Sequence, residues 1–154
     1  MNRNEIYKVI YRELIAIVEG VEHKIANLAN ASALLFNSLK DINWAGFYLL
    51  EDSDTLVLGP FQGKPACIEI KVGKGVCGTA VLKKETLVVS NVHEFPGHIA
   101  CDSTSNSEIV IPIYDRDHRC ILGVLDIDSP IVNRFDDIDK AGLEEFVNIL
   151  AQYI

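Results

Sequence analysis

Apolar side chains at Ile6, Val9, Ile10, Leu14, Ile17 and Val18 recur at the i, i+3, i+4 spacing that puts one stripe along a helix. A helix is therefore predicted over residues 4–18, stopped by Gly20. A second is predicted over residues 22–39, with Ile25, Leu28, Ala29, Leu35, Phe36 and Leu39 on one face and a small patch, Asn30-Ala31-Ser32, suited to close packing. Past Asp41 the period shortens. Runs rich in aromatic and aliphatic residues predict strands over 44–50, 55–61 and 66–70, separated by the turn-forming Glu51-Asp52-Ser53-Asp54 and by Gln62-Gly63-Lys64-Pro65. A glycine-rich stretch, 72–79, leads into a short helix over 79–83, and a strand follows over 87–90. Strands over 109–114 and 120–127 are joined by Asp115-Arg116-Asp117-His118, a polar turn of hairpin length, and carry apolar residues on both faces as central strands do. The last helix, 136–153, starts with the acidic Asp136 and Asp139 and has Ile138, Leu143, Phe146, Val147 and Leu150 as its apolar stripe. The sum is an α+β fold: a central antiparallel sheet of five or six strands, with two N-terminal helices and one C-terminal helix packed on one face. No repeat or linker breaks the pattern, so residues 1–154 read as one domain.

Composition narrows the class. A chain of 154 residues can bury roughly 70% of the surface it exposes when unfolded and needs no disulfide staple. No apolar run approaches the ~18–20 residues that span a bilayer, and the first twenty residues lack the basic, apolar and small-residue regions of a secretory signal. A cytoplasmic protein is expected. The formal charge of −8 disfavours nucleic acid and anionic membrane surfaces as partners. Cysteines at 67, 77, 101 and 120 form no CxxC pair and no zinc-ligand spacing, so no metal site is predicted.

Candidate chemistry centres on residues 88–108. Cys101 lies in an irregular stretch between two predicted strands, after Pro96-Gly97 and among small polar residues, where a rigid sheet can hold a reactive group near solvent. It is read as a redox nucleophile, although Asp102 and Glu108 nearby would raise its pKa and so do not explain its activation. Asp126 and Asp128 point to one face of a strand, an arrangement that asks for a cation or a donor between them, and Glu108 starts the partner strand. Trp44 and Tyr48 share a face and suit either core or pocket wall. Gly73, Gly75 and Gly78 mimic a dinucleotide fingerprint without its βαβ setting; they are read as a tight turn, with Cys77 inside it, able to present backbone N–H groups to a small carboxylate. His23, His93 and His98 are expected on the surface, and Cys120 as an incidental thiol.

The segments NWAGFYLL, LGPFQGKPACIEIKVGKGVCGTA, FPGHIACDSTSNSEIVIPI and LGVLDIDSP resemble the free methionine-(R)-sulfoxide reductases, a catalytic branch of the GAF-domain fold, over nearly the whole chain. The resemblance implies a GAF-like domain that reduces free methionine-(R)-sulfoxide. It makes Cys101 the attacking residue, Cys67 the chief resolving partner and Cys77 a participant in a second exchange. It also implies that a sulfenic acid on Cys101 condenses with Cys67 to a disulfide, which thioredoxin reduces from outside, with no bound cofactor. Glu108, Asp126 and Asp128 would line the substrate pocket, Glu108 and Asp128 on the ammonium and Asp126 near the sulfoxide oxygen. Trp44 and Tyr48 would form the wall for the methyl group, and backbone N–H groups of residues 99–103 would take the carboxylate. A homodimer is expected on the same basis. The alternatives are a non-catalytic GAF module that binds a small ligand and a thiol redox sensor using the same Cys67 and Cys101.

Overall fold

A computed structural model describes residues 1–99 and 101–154. Helix α1 (Arg3–Val18) begins in a capping box, the Asn2 side chain accepting from the Glu5 N–H and the Glu5 carboxylate from the Asn2 N–H, and α2 (Lys24–Ser38) follows. Then come β1 (Trp44–Leu50), β2 (Thr55–Gly63), β3 (Glu69–Lys71), α3 (Gly75–Lys83), β4 (Leu87–Val89), β5 (Ser107–Tyr114), β6 (Ile121–Ser129) and α4 (Asp137–Leu150). The six strands form one antiparallel sheet in the order β3-β2-β1-β6-β5-β4. Among the described residues no helix is long and apolar enough to cross a membrane.

Alternation along the strands splits the sheet's side chains between two cores. Ala45, Phe47, Ile109, Ile111, Ile113, Leu125 and Ile127 face α1, α2 and α4 and build the larger one, with Leu14, Leu28, Leu35, Phe146 and Leu150 among its fully buried partners. Trp44, Tyr48, Val110 and Val124 point the other way, against Val76, Ala80 and Val81 of α3. Both faces of β1, β5 and β6 are thus covered, which is why their sequences show so little polar alternation.

Several boundaries differ from those expected, each for a local reason. The strand expected over 66–70 shrinks to Glu69–Lys71. The short helix expected over 79–83 begins four residues earlier, at Gly75, so Cys77 sits in the first turn of α3 and not in a loop. Gly78 allows this, because a Cβ there would overlap the Lys71 carbonyl oxygen. Gly75, at φ +59°, turns the chain into the helix through a conformation that glycine adopts without strain. Cys120 belongs to the exposed turn before β6, not to the strand. The acidic start of the last helix is a cap as expected: the Asp136 side chain accepts from the N–H groups of Ile138 and Asp139.

Candidate active site

Strand register assembles the site. Trp44 pairs with Asp128, which on its other side pairs with Glu108, so three residues far apart in sequence form one row across β1, β6 and β5. In the next row on that face Gly46 pairs with Asp126, and Asp126 with Val110; in the one after, Tyr48 pairs with Val124. The acids therefore occupy one end of an otherwise apolar face. The N-terminal turn of α3 closes this end from above, bringing Gly75, Val76 and Cys77 to the same cavity. Trp44 stacks on Tyr48 with ring centroids 5.9 Å apart and on Phe61 at 5.1 Å, so its ring is held as a flat wall. Both polar handles are satisfied: Trp44 Nε1 donates to the Lys64 carbonyl at 3.1 Å and Tyr48 Oη to that of Cys67 at 2.9 Å.

The mouth is formed by the loop between β4 and β5, which carries Cys101. Cys101 and Cys67 are joined by a disulfide with Cα atoms 5.6 Å apart, although 34 residues separate them in the chain. Cys77 and Cys120 are free thiols, the first buried and the second exposed. Cys101, Cys67 and Cys77 are thus gathered at one site, while Cys120 is away from it. Within the loop, the Asp102 carboxylate accepts from the N–H of Thr104 at 2.9 Å and from its hydroxyl at 2.6 Å, and these bonds hold Asp102 below the usual aspartate range.

Electrostatics make the cavity unusual. Glu108 and Asp126 are buried, at 6% and 5% exposure, and among the described residues no lysine or arginine lines the cavity. Burial pushes Glu108 well above the usual glutamate range, and the charges of Asp126 and Asp128 add to the effect. Asp128 is raised by burial and then by Asp126. Asp126 is also raised by burial, but hydrogen bonding from Glu108, Cys77 and Asp128 pulls it back. Cys77 is pushed up by burial and by the same three acids, which keeps it a thiol. Like charges so close cannot all ionise, so the three acids hold protons as a group. The Oδ1 of Asp126 is buried without a hydrogen-bond partner. Cys77, Glu108 and Asp126 bring one donor atom each within 4.8 Å of one another, close enough for a small cation to bridge.

Two features escaped the sequence. His98, expected on the surface, is half-buried in the cavity wall with Nε2 3.9 Å from Glu108 Oε1. Burial, and then the charge of His93, lower its pKa and leave it neutral. The turn at Gly97, φ +73°, folds the loop back onto the sheet, and a residue in an irregular loop carries no periodicity to announce its direction. His93 does stay exposed, its Nε2 3.0 Å from Asn106 Oδ1. The second is Asn43, just before β1, whose amide reaches Asp102, Thr104 and Ser105. Of the backbone donors expected for a carboxylate over 99–103, the Cys101 N–H is already bonded to the Ile99 carbonyl at 3.1 Å, and Ala100 lies outside the described residues.

Residues 13–154 match the family model described as GAF domain. The chain is 56% identical over 147 residues to the free methionine-R-sulfoxide reductase of Escherichia coli, covering 96% of this chain and 87% of that protein. It is 46% identical to the free methionine-R-sulfoxide reductase of Saccharomyces cerevisiae, over 97% of this chain and 86% of that protein. The structure superposes with a TM-score of 0.93 on the free methionine-R-sulfoxide reductase of Neisseria meningitidis in complex with its substrate, at 43% identity, covering 99% of this chain and 90% of the other.

Proposed function

The chain belongs to the GAF-domain family, in the branch of the free methionine-R-sulfoxide reductases, and from that premise we propose that it reduces free L-methionine (R)-S-oxide to methionine through Cys101. The observation that carries the proposal is the Cys67–Cys101 disulfide at the mouth of a buried, acid-lined cavity.

Each part of the substrate has a chemical match. Its ammonium suits Glu108 and Asp128, which lie in one cross-strand row and lose their stored protons when a cation arrives. Its methyl group suits the Trp44–Tyr48 wall. Its carboxylate suits the N-terminal turn of α3, where unpaired backbone N–H groups and the helix dipole favour an anion, helped by loop N–H groups near Asp102. A peptide-bound residue has neither charged terminus, so the free amino acid is the better fit.

In the reaction the Cys101 sulfur attacks the sulfoxide sulfur. The sulfoxide oxygen takes up a proton and shifts to the Cys101 sulfur as its bond to the substrate sulfur and the transient sulfur–sulfur bond both break, leaving a sulfenic acid and methionine with the electron pair on its thioether sulfur. Asp126, raised by burial and with its Oδ1 unpartnered, relays a proton to that oxygen once the ammonium has displaced protons from Glu108 and Asp128. The Cys67 thiol then displaces water from the sulfenic acid and forms the disulfide. An external dithiol such as thioredoxin restores both thiols by exchange. Cys77, buried and protonated, serves a secondary exchange after the loop has moved. Family resemblance and the reducing environment that open thiols require support a homodimer working in the cytoplasm.

NADPH oxidation coupled through thioredoxin reductase and thioredoxin tests the reading. Free methionine-(R)-sulfoxide should give steady turnover, the S epimer little, and Cys101→Ser none. A protein that forms the disulfide with peroxide yet consumes no sulfoxide would instead be a redox sensor.

A further inference from the structure

We propose that Asn43 is a positioning residue for the Cys101 loop: its side-chain amide staples residues 102–105 to the start of β1, and so keeps the Cys101 thiol facing Cys67 when no disulfide does so. The inference rests on the reading of Cys67 and Cys101 as a redox pair.

Asn43 is itself fixed by the sheet, because its backbone N–H donates to the Asp128 carbonyl at 2.9 Å. From that anchor its Nδ2 lies 3.1 Å from Asp102 Oδ2, 3.1 Å from Thr104 Oγ1 and 3.2 Å from Ser105 Oγ. An amide has two protons, so two of the three acceptors are served at once, and the ionised Asp102 is the strongest of them. Asp102 in turn binds the N–H and hydroxyl of Thr104, and Ser105 is buried at 5% exposure. Asn43 thus grips a closed turn that begins at the residue after Cys101. The other end of its amide explains why this is more than filling space. Asn43 Oδ1 is buried with no partner, an arrangement that costs stability. What the amide contributes at this position is therefore its N–H donors.

In the disulfide form the covalent bond has already ordered the loop, so the staple forms without further entropic cost, and by linkage staple and disulfide favour one another. In the dithiol form the staple alone opposes opening of the loop. It limits the positions open to Cys101, and so raises its effective concentration toward Cys67 and toward a substrate already in the cavity. Without the staple, closing the disulfide must order the loop again.

Redox titration against glutathione, reading the Cys67–Cys101 pair in wild-type protein, Asn43→Ala and Asn43→Asp, tests this. Asn43→Asp keeps the shape, removes the donors and sets a second carboxylate against Asp102. Both variants should form the disulfide about tenfold less favourably, ~30 mV less reducing for a two-electron couple, with kcat falling in step. Urea unfolding of the disulfide forms, run alongside, separates this from a general loss of folding. A disulfide equilibrium constant within twofold of wild type in folded Asn43→Asp, or lost stability with an unmoved potential, would overturn the proposal. Because the titration uses no sulfoxide, a protein without sulfoxide turnover would sink the reductase reading alone.

Discussion

At the scale of single residues, the site is defined by where protons sit. Glu108 is held above its ordinary value of 4.5 by burial and by two neighbouring acids. Its sign follows from linkage: the unfolded chain releases this proton at lower pH than the folded one, so the contribution to stability is complete below the unfolded value. It is then lost as pH rises toward the folded value. Glu108→Gln removes that dependence. The variant should match wild type in urea near pH 4 and become progressively more stable than wild type toward pH 8, by up to ~1.4 kcal/mol per pH unit between the two pKa values. A constant difference across that range would refute the assignment. The same variant should bind substrate at least about tenfold more weakly, the loss expected for one charge-assisted hydrogen bond. Sequence alone marked Glu108, Asp126 and Asp128 as acids with a common purpose. It misread His98, because the direction of a side chain in an irregular loop is set by the surface the loop packs against.

At the scale of elements, α3 decides whether there is a cavity at all. Its first turn carries Cys77 over the acid row, and it can lie so close to β3 because Gly78 has no side chain to meet the Lys71 carbonyl. Gly78→Ala should therefore lift the helix and destabilise the fold by about 1–3 kcal/mol, the usual range for overpacking. Thiol labelling supplies a sensitive readout. In the disulfide form of a Cys120→Ser background, Cys77 is the one remaining thiol, buried at 3% exposure. It should react with a thiol reagent only on unfolding in that background, and readily under native conditions once Gly78→Ala is added. The helix itself was only half legible: the glycines that permit its close approach look, in sequence, like residues of a turn.

At the scale of the whole molecule, the larger core is locked at one end by Asp139. This carboxylate, 1% exposed, accepts from Tyr7 Oη at 2.8 Å, Arg3 Nη1 at 3.1 Å and Arg134 Nη1 at 3.2 Å, tying α1 to α4 and to the segment that follows β6. Asp139→Ala would leave Arg134 and Tyr7 without their partner and should cost ~3–5 kcal/mol, lowering Tm. Arg3→Ala, at a side chain 42% exposed, should cost under ~1 kcal/mol. Because the network lies on the helical side of the sheet, away from the α3 cavity, kcat should persist in either variant wherever it remains folded. Loss of turnover without loss of stability would show that the two faces are coupled.

The periodicity of the chain was enough to establish α1, α2, α4, the longer strands and the α+β class, because burial on one face of a regular element leaves a repeat that can be counted. The motifs around Trp44, Cys67, Cys101 and Asp126 were enough to indicate the family. Pairing of Trp44 with Asp128 and of Asp128 with Glu108, the descent of α3 onto the acids, the turn of His98 into the cavity and the grip of Asn43 on the loop came from folding alone. Each is a contact between residues distant along the chain, and such contacts depend on strand register and packing, which local sequence patterns do not encode.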